Sequence, residues 1–200
     1  MNAITSAGGW ESGLETGEEI LENLVGGEKD IMKGTLGRIA LSVGDIEKAE
    51  RYFEGIEGEE GEVCQGLILM SKKDFTGARD VLLKVVSKGE IEEEEKATKS
   101  VEEFWRDLKV IKNEESVYMS AVNNLVLAEL YLGTVAQPLA RLEKLILTNP
   151  IRYMTDVVVF NLCTLYDLSG DNVVSGRRKR MLEMVGMEYR LGILKSSFRI

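Results

Sequence analysis

Histidine is missing from this 200-residue chain, so the side chain that most often serves as general base or metal ligand near neutral pH cannot contribute. Cysteine is scarce. Cys64 and Cys163 lie far apart, outside any CxxC or zinc-ligand spacing, which predicts two reduced thiols rather than a disulfide framework or a metal site. Basic residues are outnumbered, 25 Lys and Arg against 34 Asp and Glu, for a formal net charge of −9. That balance argues against nucleic-acid binding, which rests on clustered cations, and against direct binding to an anionic membrane. No apolar run approaches the roughly eighteen residues that a spanning helix needs. The opening MNAITSAGGW also lacks the basic start and apolar stretch of a secretory signal, so a cytoplasmic protein is expected. P-loop, GxSxG, GxGxxG and HExxH patterns are absent too, and the runs Glu59-Glu60 and Glu92 to Glu95 read as solvated surface. The expectation is a chain that is not an enzyme, with no cofactor and no small-molecule substrate.

What remains is helical grammar. With 44% hydrophobic residues and only two prolines, the chain can bury one substantial core, as one domain or one elongated array. From Ser120 to Leu168 the pattern is most regular. Leu125, Leu127, Leu130 and Leu132 end at Gly133, and Leu139, Leu142, Leu145 and Ile146 recur at helical steps up to Asn149-Pro150. Val159, Leu162, Leu165 and Tyr166 then run to Gly170. Helix, glycine turn, helix, proline turn and helix in succession describe a tetratricopeptide array.

The same grammar is clearest between Asp30 and Phe53. Leu36, Gly37 and Ala40 precede Gly44-Asp45-Ile46, and Ala49 and Phe53 follow. Gly37 and Ala49 are small where two helices cross, and Phe53 is expected to fill the space toward the next unit. A further unit turns at Lys73-Asp74-Phe75, with Gly66 before the turn and Ala78 and Leu82 after it. The period is ragged. Asp45 to Asp74 falls short of the nominal step of about 34 residues, and Gly133 to Gly170 exceeds it. The fold class is therefore all-α, a tetratricopeptide-like α-solenoid, meaning a right-handed array of helical hairpins. Its turns lie at Gly44, Lys73, Gly133 and Gly170, and one lone helix from Glu18 precedes it. Residues 1–17, rich in Gly, Ser and Thr, are expected to be flexible, 18–186 to form the array, and 187–200 to cap or strap its last unit.

One stretch departs from this pattern, an acidic insertion near 87–115. Within it Val101, Phe104, Trp105, Leu108 and Ile111 recur at helical spacing. Their stripe either packs on the array or makes Phe104 and Trp105 an anchor for a partner. Beyond it, Arg177-Arg178-Lys179-Arg180 reads as a solvated helix face.

LGRIALSVGDIEKAERYF (Leu36 to Phe53), NNLVLAELYLG (Asn123 to Gly133) and NPIRYMTDVVVFNLCTLYDL (Asn149 to Leu168) carry more than periodicity. Together they resemble the C-terminal tetratricopeptide region of the subunit 12 family of the trafficking protein particle (TRAPP) complex. The resemblance covers roughly Ile20 to Val185; the acidic insertion departs from it, and the long N-terminal region of better-known members is not in this sequence. It implies a non-catalytic subunit of a vesicle-tethering and Rab-exchange assembly, bound to other TRAPP subunits. Such a subunit would be held peripherally at ER-Golgi or Golgi membranes through the complex.

The register of the turns places Arg38, Leu67, Leu127 and Thr164 on the inward side of successive first helices, with Met70 and Leu130 beside them. The candidate partner-binding residues are thus Arg38, Leu67, Met70, Asn123, Leu127 and Leu130, with Phe104 and Trp105 in the insertion. A second reading is a generic tetratricopeptide adaptor or cochaperone. Grooves that grip a terminal carboxylate carry several cations, however, and here one arginine stands among apolar groups.

Overall fold

Turn residues set the helix boundaries in the computed structural model, which describes residues 9–97, 117–170 and 172–200. All regular structure among the described residues is helical, in ten α-helices and a short 3-10 turn, with chain neighbours packed in pairs as in a helical solenoid. By compactness the chain divides into two units, Met1–Asp74 and Phe75–Ile200.

In the first unit α1 (Gly9–Asn23), α2 (Gly27–Ser42), α3 (Ile46–Phe53) and α4 (Gly58–Ser71) follow in order. At the α2–α3 turn Gly44 takes a φ of 86°, and Asp45 donates its backbone N–H to the Ala40 carbonyl at 2.9 Å. This left-handed closure satisfies helix-end carbonyls at no Cβ cost. Asp45 then caps α3, its carboxylate accepting from the Lys48 backbone N–H at 2.9 Å. Leu14, Leu36, Ala40, Ala49, Tyr52, Phe53 and Cys64 form the core.

One expectation changes here. Helix α1 begins at Gly9 instead of Glu18, so the segment 1–17 is not flexible throughout. Its low helix propensity is overridden by packing: Leu14 is fully buried and Gly17 lets the Leu36 side chain lie directly on its backbone. Phe53 shares a core cluster with Cys64 of α4, on the side of the next unit, and also reaches into its own hairpin. A Cβ on Gly37 would overlap the Phe53 ring, so the small residue and the large one are a matched pair within one hairpin.

The second unit contains α5 (Phe75–Ala97), α6 (Val117–Tyr131), α7 (Ala136–Thr148), the single-turn α8 (Pro150–Tyr153), α9 (Asp156–Leu168) and α10 (Asn172–Glu188), then a 3-10 turn at Lys195–Phe198. Residues 87–97, expected to open the acidic insertion, instead continue α5. The reason lies in packing, because Val85, Val86 and Gly89 are buried, and Gly89 admits the ring of Tyr118 from α6. Pro138 falls in the first turn of α7, where its missing N–H leaves no helical bond unmade. Asn149 caps α8 through the Arg152 backbone N–H at 3.1 Å, with Pro150 in the first helical position. Gly133 and Gly170 take φ of 85° and 139°, and Lys73 takes 65° at the corresponding place after α4.

The last twelve residues form a strap over α9 and α10. Phe198 is its deepest side chain, at 3% exposure. Asp156, at the start of α9, accepts from the Leu194 backbone N–H at 2.8 Å and from the Ser197 hydroxyl at 2.6 Å. Near the other end of α9, the Arg199 guanidinium donates to the Thr164 hydroxyl at 2.8 Å.

Candidate interaction site

The residues singled out from sequence fall in different settings. Arg38 is partly buried on α2 and pairs with Glu60 at 3.1 Å. Leu67 packs against the core of the first unit, and Met70, one turn on, is partly buried. In the second unit Leu127 and Leu130 are partly buried on α6, beside the fully buried Leu125, Val126 and Ala128. Asn123 ties α6 to α9, accepting from the Asn161 amide at 2.8 Å. Phe104 and Trp105 lie outside the described residues. The structure therefore brings Leu127 and Leu130 together on one helix with Asn123, and Leu67 with Met70 on another.

Sequence reasoning overlooked a groove of about 390 Å³ in the second unit, between α7, α8, α9 and α10. Ile146, Leu147, Pro150, Leu162, Met181 and Leu182 give it an apolar lining. Its polar rim is built from Tyr166, Glu143 and Arg178. The Tyr166 hydroxyl donates to Glu143 at 2.9 Å, and the Arg178 guanidinium lies 5.4 Å from the Tyr166 ring centre and 3.7 Å from the Glu143 carboxylate. Burial, reinforced by the Glu143 carboxylate, raises the phenol far above its ordinary range, so Tyr166 stays a neutral donor. In MLEMVGM, Met181, Met184 and Met187 recur every third residue after the arginine cluster, but only Met181 lines the groove, so that spacing did not signal it.

The chemistry of the remaining reactive groups is quiet. Burial pushes the Cys64 thiol up to about 12 and the Cys163 thiol up to about 11, so neither supplies a thiolate nucleophile near neutral pH. Among the described residues no group of His, Cys, Asp or Glu could hold a metal ion, and no helix is long and apolar enough to cross a membrane.

The charged clusters hold secondary elements. Glu18 on α1 accepts from the Tyr52 hydroxyl and pairs with Lys48 at 3.1 Å, bonds that hold its carboxyl below the usual range. Lys179 on α10 is almost fully buried and pairs with Asp167 at 2.6 Å, while it also donates to the Arg199 carbonyl at 3.2 Å. Ser175 donates to the same carboxylate at 2.8 Å, and together these contacts depress the Asp167 carboxyl.

An apolar groove with a charged rim has the shape to receive a protruding apolar side chain. In sequence the chain is similar to a trafficking-complex subunit. The human "Trafficking protein particle complex subunit 12" is 27% identical over 161 residues, 80% of this chain and 20% of that protein. The mouse protein of the same name is 27% identical over 158 residues, 79% of this chain and 18% of its own length. The chain thus spans about a fifth of the length of these curated relatives. No protein-family model and no solved structure matches it.

Proposed function

We propose that this chain is a non-catalytic protein–protein interaction subunit of a TRAPP-type vesicle-tethering and Rab-exchange complex, acting in ER-Golgi or autophagy-related trafficking. The observation that carries the reading is the similarity to the subunit 12 proteins, which extends over four fifths of the chain. Paired helices, inert thiols and an apolar groove support an adaptor that works by contact. On this reading its partners are other TRAPP subunits, without nucleic acid, cofactor or small-molecule substrate. It sits in the cytoplasm and reaches ER-Golgi or Golgi membranes only through the complex. A cochaperone role finds less support, since Arg38, the cation expected in a carboxylate clamp, is already paired with Glu60.

The test is affinity purification of the tagged chain from cells followed by mass spectrometry. TRAPP subunits should co-purify in near-stoichiometric amounts. Leu127→Glu should abolish that recovery while helical content and melting stay near those of the parent chain. A preparation dominated by heat-shock chaperones, or one without TRAPP subunits, overturns the assignment.

A further inference from the structure

A helix face left exposed to solvent is ordinarily polar. Helix α10 does not follow that rule. Ser175, Lys179, Leu182 and Gly186 face inward, as their burial shows. On the opposite side Met181, Met184 and Met187 are exposed at 62%, 57% and 63%. The C-terminal strap covers α9 and another side of α10 and leaves these methionines open. Met181 lines the apolar groove between α7 and α10, where Leu147 is 79% exposed, whereas Met184 lies outside its lining and Met187 borders a separate cavity with Ile193 and Phe198 of the strap.

The charge of this face is also out of character. In a chain of net charge −9, Arg177, Arg178 and Arg180 crowd one turn of α10. Lys179 points inward to Asp167, and Arg178 is occupied by Glu143 and Tyr166. Arg177 and Arg180 are exposed and make no ion pair among the described residues. A merely soluble surface would intersperse both signs.

We propose that the groove between α7 and α10, with the methionine and arginine face beside it, docks an acidic amphipathic helix of a partner protein. The apolar side chains of that helix would enter the groove beside Leu147 and Met181, and its carboxylates would meet Arg177 and Arg180. Methionine suits such a site because its flexible thioether adapts to the shape of the incoming side chain. A protein helix fits better than an anionic membrane for two reasons. A concave groove of about 390 Å³ accepts protruding side chains, which a lipid surface does not offer. The net charge of −9 also opposes approach to an anionic bilayer. The proposal deepens the interaction-subunit reading and rests on it, but its test uses the purified chain alone, so a failed co-purification and a failed docking are told apart.

The probe is a fluorescein-labelled synthetic helical peptide with leucine at i, i+3, i+4 and i+7 and glutamate elsewhere, compared with a twin in which lysine replaces glutamate. Binding to the full chain is read by fluorescence anisotropy, and the site by methyl NMR of labelled methionines. The glutamate peptide should bind at least about tenfold more tightly than its twin, and lose that advantage in Arg177→Glu/Arg180→Glu and at high salt. The Met181 methyl signal should shift most, while those of Met32, Met70 and Met187 stay in place. Met181→Asp should weaken binding about tenfold with an unchanged circular dichroism spectrum. Equal binding of the two peptides, or shifts at Met32 and Met70 instead, overturns the proposal. So does recruitment of the chain to phosphatidylserine vesicles through Arg177 and Arg180 without peptide binding.

Discussion

The α2–α3 hairpin and the C-terminal strap are secured by opposite means. In the hairpin a Phe53 ring lies on the backbone of Gly37, flanked by the buried Ala40 and Ala49, so apolar area and close approach do the holding. In the strap Phe198 is the one large side chain taken fully inside, and the rest depends on carboxylates. Asp156 holds its middle and Asp167, through Lys179 and Arg199, holds its end. The difference follows from geometry. Two helices meeting along their lengths can bury enough surface to stay together, whereas twelve residues of mostly irregular chain cannot and need directional polar bonds.

Breaking the apolar closure should have the largest effect. Phe53→Ala should cost about 3 kcal/mol or more in urea unfolding, because a buried ring leaves a cavity that its neighbours fill only in part. Filling the other side of the same contact is the complementary test: Gly37→Leu should cost about 1 to 3 kcal/mol through overpacking. In combination with Phe53→Ala the Gly37→Leu penalty should shrink, since the ring it strikes is gone. Fully additive losses in that cycle would show that Gly37 and Phe53 are not coupled.

The polar closure should break differently. Asp167→Ala leaves the buried Lys179 ammonium without its main partner and should destabilise by about 1 to 3 kcal/mol, discounted because Asp167 is itself partly exposed. Lys179→Met, which keeps volume and removes the charge, should cost less. The reverse order would mean that Lys179 holds the strap by its packing and not by its charge.

Acid should weaken both regions, each through its own carboxylate. The Asp167 carboxyl is depressed by Lys179 and Ser175, so the stability it contributes is present above the unfolded carboxyl value near 3.9. It is lost as pH falls through the lower folded value. In a fluorophenylalanine-labelled chain Asp167→Asn should therefore flatten the acid response of the Phe198 signal and leave that of Phe53, whose hairpin holds the likewise depressed Glu18, in place. Loss of both responses would show that strap and hairpin unfold as one.

The smallest effect concerns backbone strain. Gly44 and Gly133 close their helices with positive φ at no steric cost, whereas Lys73 and Arg190 adopt 65° and 52° with a Cβ in the way. Lys73→Gly and Arg190→Gly should each stabilise by about 0.5 kcal/mol, the strain relieved being partly offset by the flexibility glycine adds to the unfolded chain. Gly44→Ala should destabilise by about 1 kcal/mol. A thermal unfolding series ranks all three.

Much of this fold was legible because turn chemistry is local. The turns at Gly44, Lys73, Gly133 and Gly170 are all present, each with positive φ, and Pro150 opens a helical turn after Asn149. Where reading failed, a distant partner was responsible. Helix α1 starts among Gly, Ser and Thr because Leu14 and Gly17 have Leu36 to pack on. Helix α5 runs through Gly89 because Tyr118 occupies the space the glycine leaves. For the candidate site, the apolar side chains of α6 were legible from period, but the groove between α7 and α10 was not. Its lining comes from segments separated by a proline turn and a complete helix, and no periodicity within one segment reports on it.

By itself, then, the sequence determined the helical class, the places where the chain turns, and the lack of histidine or an open thiol motif for catalysis. Each of these depends on one residue's backbone freedom or one side chain's chemistry. Only the tertiary structure decided which face of each helix became core and which became surface. That choice put Lys179 inside against Asp167 and left Met181, Met184, Arg177 and Arg180 outside on the same helix. A helix presents all its faces in sequence, and only packing against neighbours selects among them.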